Sequence, residues 1–402
     1  MLRVDYVMRP YAWGSLTDIP NLLGIPETGG PVAEIWLGAH RTGSAKVGRG
    51  EEDQGVSLRD VIGRNPRDML GDPEQTELPF LLKVLGVAHP LSLQVHPKAE
   101  QARAGFAREE AAGIPLDASN RTYKDPYPKP EMVYALTTFE ALAGFKRPEA
   151  IRAALAPIAP QSTLAANLLA ALEGTGRGGL KAAVAMALTG PEAGPGAIVE
   201  LVQACRRMMS QTSDDPAAYT LPVALAKRYP EDRGIAVAIM MNHVSLAPGE
   251  ALFIGPGTPH AYLRGLAMEL MGASDNVLRA GFTPKYVDPA RVLTTVDFDA
   301  QGPVRPGVVR DGAARIVRPP ADVFELADIR MTGGTYQSAA TGPRMALVLE
   351  GQITAFTDLG SLHVSRGQSL FAMAAESPIS WRGKGRVILA SPGSRPLLPH
   401  SA

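Results

Sequence analysis

The 402-residue sequence has little of several features that mark particular classes of protein. Its single cysteine, Cys205, excludes an internal disulfide framework and a cysteine-based zinc site. Lys plus Arg and Asp plus Glu are both 40, so no general field recruits nucleic acid or an anionic membrane. There is no apolar run of about 18 residues and no signal-peptide core. We therefore expect a cytoplasmic protein without nucleic-acid or membrane partners.

The composition favours a β-rich protein with more than one domain. The length exceeds one ordinary hydrophobic core, which predicts two or three domains. Gly at 41 and Pro at 35 indicate many turns. Any site for an anionic ligand must then be built by local charges, because the formal net charge is zero.

Alanine-rich segments interrupt the β-like chain. Between residues 147 and 234, apolar residues recur at helical spacing and the segments end at Gly or Pro, which predicts a helical insertion. Strand character is predicted to resume at residues 235–240, and short strands with turns recur after residue 321. We predict a discontinuous catalytic domain (1–146 and 235–320), the insertion (147–234) and a C-terminal domain (321–402).

Residues 244–288 hold the densest set of candidate functional groups. The apolar run 252–254, a turn rich in Gly and Pro, and an apolar run that opens with His260 predict two strands joined by a tight turn. The second strand and the residues after it include several charged side chains, namely Glu269, Asp275, Arg279 and Lys285. Buried charges are costly without partners, so a metal ion and an anionic substrate are the predicted partners.

Two upstream stretches carry further polar groups beside apolar strands. Alternation over residues 91–96 places Ser92, Gln94 and His96 on one strand face, which is either solvated or functional. Lys129 and Glu131 share a face at the start of another strand. Glu131 is either a functional group or a charge that protects a sheet edge from aggregation.

These groups form a candidate metal site with His260. Gln94, His96 and Glu131 are the other polar groups most closely flanked by apolar strand, and two imidazoles, a carboxylate and an amide suit zinc. An open site with two histidines and one carboxylate also suits Fe(II).

The segment from Gly249 to His260 resembles the second signature box of the cupins, with the proline displaced to position 256. Residues 349–351 and 367–371 form a degenerate counterpart without a histidine at the expected place. The resemblance implies a mainly β fold with two cupin-type jelly-roll β-sandwich domains plus the α-helical insertion domain, the C-terminal sandwich being metal-free.

Four motifs in order resemble type I phosphomannose isomerase, a family of the cupin superfamily: residues 92–97 (SLQVHP), 129–131 (KPE), 259–262 (PHAY) and 274–281 (SDNVLRAG) with Lys285. The similarity extends to Trp13-Gly14 and to residues 34–40. It implies an isomerase that contains one Zn²⁺ and interconverts mannose 6-phosphate and fructose 6-phosphate, feeding GDP-mannose metabolism. The implied metal ligands are Gln94, His96, Glu131 and His260.

The resemblance also implies roles for the remaining candidates in a reaction through a cis-enediol. Arg279 is expected to stabilise the enediolate, because its very high pKa makes it a poor base. Glu269 is the expected base, with Lys129 as the rival, or else Glu269 serves as a structural ion partner. Ser92 and Lys285 are expected to contact the substrate, Tyr262 to orient it, and Asp275 to hold Arg279 or Lys285, or to serve as a structural ion partner. We expect a monomer.

One position departs from the family pattern. Many members carry a histidine before the Lys-Pro-Glu motif, where this chain has Pro128, so a ring-opening role for that histidine must pass to another group. Two other functions compete with the isomerase: a protein that only binds or senses a sugar phosphate, and a cupin Fe(II) oxygenase. The Gln ligand and the Lys/Arg set fit the oxygenase less well.

Overall fold

A computed structural model describes residues 1–174, 177–211, 213–300 and 302–393. Its strands in chain order are β1 Leu2–Asp5, β2 Val7–Arg9, β3 Glu34–Leu37, β4 Ala39–His40, β5 Gly43–Ser44, β6 Lys46–Val47, β7 Phe80–Val87, β8 Leu93–Val95, β9 Glu131–Ala135, β10 Phe139–Phe145, β11 Met241–Leu246, β12 Ala251–Ile254, β13 His260–Gly272, β14 Leu278–Gly281, β15 Gly307–Asp311, β16 Ala314–Arg318, β17 Phe324–Ser338, β18 Arg344–Thr357, β19 Gly360–Ser365, β20 Ser369–Ala372 and β21 Ile379–Pro392. Its α-helices are α1 Asp18–Leu23, α2 Leu58–Arg64, α3 Pro66–Leu70, α4 Ala99–Ala111, α5 Pro148–Leu155, α6 Thr163–Ala171, α7 Arg177–Thr189, α8 Pro195–Met208, α9 Ala217–Ala226, α10 Gly234–Ile239 and α11 Pro289–Thr295.

Two large antiparallel sheets dominate the described residues, which confirms the prediction of a mainly β protein. One sheet runs β11-β10-β13-β7-β3-β2, and β8 and β9 also pair with β13 and bring β14 and β12 with them. The other runs β15-β16-β17-β21-β18-β20-β1-β6, with β19 paired to β18. The long strand β13 is thus the centre of the first sheet.

The predicted strand, tight turn and strand around His260 are β12, the turn and β13. Gly257 adopts φ +86°, a conformation that L side chains rarely take, and an added Cβ would lie 2.9 Å from Cβ of Asp297. The turn therefore needs glycine at this position, and it delivers His260 to the first residue of β13 in a fully buried position.

The predicted helical insertion is present as α5 to α9, between β10 and β11. Its apolar faces share a hydrophobic cluster with residues of β8, β13 and β14, including Leu93, Val95, Ala261, Leu278 and Ala280. The helices therefore pack directly behind the strands that carry the candidate ligands. No helix of the described chain combines the length and apolar character needed to cross a membrane.

The strand predicted at residues 235–240 is wrong, because Gly234–Ile239 forms helix α10. All six of its residues are buried, and a short apolar run that is buried on every side shows neither helical nor strand periodicity. Residues 289–320, at the end of the predicted catalytic domain, contain helix α11 as well as β15 and β16. Asp288 caps α11 by accepting from the backbone N–H of Arg291 at 3.0 Å.

The two large sheets are connected by strands and by a buried polar contact. The N-terminal strand β1 pairs with β20, so the second sheet includes residues from both ends of the chain. Tyr134 on β9 donates a hydrogen bond to Asp328 on β17 at 2.8 Å, and Arg386 binds the same carboxylate at 2.8 and 3.0 Å. Residues 394–402 of the predicted C-terminal domain lie outside the described residues.

Candidate metal centre and active site

Three strands of the first sheet bring the four predicted metal ligands together. Gln94 on β8 lies opposite His260 on β13, and His96 follows the end of β8. Glu131 opens β9, which pairs with both β12 and β13, so it does not lie on a sheet edge. The structure therefore rules out the alternative of an edge-protecting charge at Glu131.

Glu131 is the centre of the cluster and is 2% exposed. Its Oε1 lies 3.1 Å from Nε2 of His96 and 2.9 Å from Nζ of Lys129. Its Oε2 lies 3.3 Å from Nε2 of His260, and Tyr262 donates its hydroxyl proton to the same oxygen at 3.3 Å. The ligand atoms of the two histidines and Glu131 all lie within 4.8 Å of one another.

The hydrogen bonds of both imidazoles leave Nε2 free to bind a metal ion. Nδ1 of His96 lies 2.7 Å from the carbonyl of Asn276, and Nδ1 of His260 lies 3.0 Å from the carbonyl of Thr258. A carbonyl only accepts, so Nδ1 carries the proton in each neutral ring. Nε2 of His96 makes no hydrogen bond to any residue that the structure describes, although a carboxylate oxygen is 3.1 Å away.

The imidazole nitrogen and the carboxylate oxygen each direct a lone pair at the other in a buried space, and such a pair requires a cation or a proton between its members. The residues present therefore fit a divalent metal ion. Gln94 completes the set because its Nε2 lies 3.3 Å from Nε2 of His260. Rotation of the amide by 180° about its final bond would present the oxygen instead, and the two orientations are nearly indistinguishable in shape.

The electrostatics of the cluster favour the protonation states that a metal needs. Burial lowers the pKa of His96 to about 4, so the ring is neutral at pH 7. Burial would by itself raise the pKa of Glu131, but the charge of Lys129 holds it well below its ordinary value. The cluster therefore offers the neutral imidazole of His96 and an ionised carboxylate.

Glu269 lies on β13 beyond Tyr262 and is 4% exposed. Its carboxylate is 3.1 Å from Nζ of Lys83, which also lies 4.0 Å from Glu34. Burial raises the pKa of Glu269, against the opposing effect of Lys83. Burial also raises the pKa of Tyr262 well above its ordinary value, and both Glu131 and Glu269 act in the same direction.

Positive charges collect on one side of the cluster. Arg279 on β14 lies opposite Gln94, and Lys285 follows four residues after the end of that strand. Partial burial lowers the pKa of Lys285, and the nearby charges of Arg279 and Lys124 lower it further. Within the described ranges, neither Arg279 nor Lys285 is in an ion pair. This surface suits an anionic ligand.

Ser92 is half-buried just before β8.

Asp275 contacts neither of its expected partners. Its carboxylate lies 3.1 Å from the guanidinium of Arg41 and 3.4 Å from Nε2 of His40, whereas Arg279 and Lys285 have no such contact with it in the described structure. The expectation that Asp275 holds Arg279 or Lys285 is therefore wrong, and the alternative of a structural ion partner agrees with its ion pair to Arg41. The loop that contains Asp275 folds against Asp125, which accepts from its backbone N–H at 2.8 Å.

Sequence reasoning assigned no role to three residues at this site. Lys83 is a single charge within the otherwise apolar strand β7, and that isolation was its signal. Asn276 accepts from the backbone N–H of Lys124 at 2.7 Å and donates to the carbonyl oxygens of Asp125 and Tyr127, so it joins the 124–127 loop to His96. No sequence pattern pointed to Lys124, because its position near Lys285 depends on how the 124–127 loop folds.

Fold and site together define a class: a mainly β protein with a buried site for a metal ion, next to a cationic surface. Residues 1–148 match the family model described as phosphomannose isomerase type I, catalytic domain. Mannose-6-phosphate isomerase of Escherichia coli (strain K12) is 39% identical over 387 residues, covering 94% of this chain and 96% of the relative. The Rattus norvegicus enzyme of the same name is 31% identical, covering 92% and 93%.

Solved structures agree over nearly the whole chain. A mutant of phosphomannose isomerase from Salmonella typhimurium has a TM-score of 0.88 at 34% identity, covering 98% of this chain and 99% of that one. A zinc-bound mannose 6-phosphate isomerase has a TM-score of 0.87 at 35% identity, with the same coverage. The chain belongs to the type I phosphomannose isomerase family, and its enzyme class is that of the mannose-6-phosphate isomerases. The resemblance seen in the sequence is confirmed.

Proposed function

We propose that the protein is a zinc-dependent aldose–ketose isomerase that interconverts mannose 6-phosphate and fructose 6-phosphate through a cis-enediol. The observation that carries the proposal is the position of Glu131: its carboxylate faces Nε2 of both His96 and His260, beside a surface that carries Arg279 and Lys285. Such a site combines a metal ion with a place for a phosphate.

We propose one Zn²⁺ per chain, held by Gln94, His96, Glu131 and His260. The donor set is the support, since imidazole and carboxylate ligands suit zinc and the zinc-bound relative shares the fold. When bound, zinc supplies a Lewis acid for the oxygens on C1 and C2 of the sugar.

The proposed reaction moves one proton between neighbouring carbons. In the open-chain aldose, a base removes the proton from C2 and returns it to C1, while the hydroxyl proton of O2 is lost and O1 gains one. We propose Glu269 as the base, supported by its raised pKa beside Lys83. Lys129 is the rival, but its Nζ lies 2.9 Å from Glu131 and is engaged in that ion pair.

The remaining residues are proposed to bind and orient the sugar phosphate. Arg279 stabilises the negative charge of the enediolate, because its planar guanidinium stays charged. Lys285 binds the phosphate, and Ser92 contacts the substrate. Tyr262 acts through Glu131, whose oxygen it contacts at 3.3 Å.

We also propose the domain layout expected from the sequence, with residues 1–146 and 235–320 as one cupin-type jelly roll and residues 321–402 as another. The two large antiparallel sheets support it. The strands β1 and β6 qualify the boundaries, since they belong to the second sheet. The proposed role in the cell is in mannose and GDP-mannose metabolism.

A coupled assay tests the proposed function. Purified protein should form fructose 6-phosphate from mannose 6-phosphate, should lose this activity in a chelator, and should regain it with added zinc. Binding of the sugar phosphate without turnover would instead support a sensor. Oxygen consumption that depends on Fe(II) would support an oxygenase, and either result would refute the isomerase.

A further inference from the structure

The segment Tyr229–Asp232, between α9 and α10 of the helical insertion, is bonded to the backbone of the catalytic sheet at two points. The hydroxyl of Tyr229 donates to the carbonyl of Pro90 at 2.8 Å. A carboxylate oxygen of Asp232 accepts from the backbone N–H of Phe282 at 2.8 Å. Pro90 lies just before β8, and Phe282 directly follows β14, so the segment reaches one end of each strand.

Those two strands carry functional groups from the proposed site. β8 and β14 are antiparallel neighbours, and Gln94 on β8 lies opposite Arg279 on β14. Lys285 follows Phe282 by three residues. The register shifts between Arg279 and Gly281, so the ladder alone does not fix the end of β14. The contacts from the insertion are made next to this register shift.

The backbone on both sides of the contact is strained. Within the described ranges, two residues other than glycine have positive φ: Phe282 at +56° and Glu231 at +65°. A positive φ is unusual for a bulky residue such as Phe282, and such conformations persist only where surrounding contacts impose them. Here Phe282 is 2% exposed, and its ring lies 5.6 Å from that of Tyr229.

Two glycines allow the close approach. A Cβ on Gly281 would lie 2.5 Å from a carboxylate oxygen of Asp232 and 2.9 Å from Cα of Gly234. A Cβ on Gly234 would lie 3.1 Å from the ring of Phe282. The insertion and the end of β14 therefore meet with no room for a side chain at either position.

The two carboxylate oxygens of Asp232 join two separate backbone segments. One oxygen accepts from the N–H of Gly234, the first residue of α10, at 2.7 Å. The other oxygen accepts from the N–H of Phe282, at the end of β14. Burial raises the pKa of Asp232, and the two backbone N–H groups oppose that effect.

We propose that the segment Tyr229–Asp232 is a positioning element, through which the helical insertion sets Arg279 and Lys285 against the anionic substrate. This inference rests on the proposed function. It gives the insertion a part in activity, although the insertion carries no predicted ligand or catalytic group. Asp232 and Tyr229 are positioning residues that act through Phe282 and Pro90.

Asp232→Asn tests the proposal, because the amide keeps the size of the side chain but turns an N–H toward one of the two backbone N–H groups. Its kcat/KM for mannose 6-phosphate should fall at least 10-fold with a raised KM, while its zinc content stays at the wild-type value. The matched control is Asp215→Asn, which removes a charge that pairs with Lys146 elsewhere in the insertion. It should leave KM unchanged.

Two further measurements keep the outcome clear if Asp232→Asn folds poorly. Tyr229→Phe keeps the ring against Phe282 and removes only the hydroxyl; its kcat/KM should fall about 3-fold. Affinity for inorganic phosphate, measured by calorimetry, should fall in both variants and does not depend on turnover. If the wild-type protein shows no turnover, the proposed function is refuted. The phosphate affinity of the two variants relative to the wild type then tests the inference by itself. Wild-type KM and phosphate affinity in both variants would overturn it.

Discussion

Replacing Lys285 by Met removes one of the cations that we assign to the phosphate. In the free protein the nearby charges of Arg279 and Lys124 lower the pKa of Lys285, so these cations repel one another until an anion binds. A hydrogen bond to a charged group contributes about 1.5–3 kcal/mol. Lys285 is only partly buried and stays accessible to solvent, which favours the low end of this range, about 1.5 kcal/mol, and a loss of roughly 10-fold in kcat/KM.

The assay compares mannose 6-phosphate with mannose, which lacks the phosphate. Lys285→Met should lose roughly 10-fold in kcat/KM on the phosphate ester, mostly through KM, and almost nothing on mannose. Its free energy of unfolding should be equal to or slightly above that of the wild type, because a repulsion is relieved. Lys181→Met, at an exposed position on α7, is the control. Equal losses on both sugars would refute the assignment.

Three other changes test separate parts of the account. Burial lowers the pKa of His40 to about 4. The unfolded ring therefore takes up its proton near pH 6.5 and the folded ring only near pH 4, so stability present above pH 6.5 is lost as the pH falls. The free energy of unfolding of metal-stripped protein, measured with urea, should fall between pH 7.5 and 4.5 by about 2 kcal/mol less in His40→Gln than in the wild type. Equal falls in the two proteins would contradict this. Tyr134→Phe should cost about 1 kcal/mol of stability, since Arg386 still binds Asp328, with unchanged kcat/KM; a fall in activity would argue against a purely structural contact. Glu131→Gln should weaken zinc binding by more than about 100-fold in a competition titration with a chelator, and wild-type affinity would exclude Glu131 as a ligand.

Much of the site was predictable because strand alternation is a local property. The period of two placed Gln94 and His96 on one face, and the turn with Gly257 placed His260 at the start of a strand. Pairing of β8 and β9 with β13 was not readable from the sequence, yet it is what brings these side chains together. The family resemblance supplied that long-range information.

The errors come from places where tertiary contacts decide. Helix α10 was predicted as a strand because its short apolar run shows no helical periodicity. Every residue of the run is buried, so no polar face marks the helix. Asp275 was assigned to cations close to it in sequence, but the fold places Arg41, 234 residues away, against its carboxylate. The positive φ of Phe282 likewise depends on Asp232, 50 residues upstream, and no local pattern indicated it.

The most direct test of the central claim is a zinc titration of metal-stripped protein with fructose 6-phosphate formation as the readout. The account predicts no turnover without metal, a rise in proportion to bound zinc, and saturation at one zinc per chain. His96→Ala, shown by circular dichroism to be folded, should stay inactive throughout the titration. Turnover of mannose 6-phosphate by the metal-stripped protein, or by folded His96→Ala, would contradict the account.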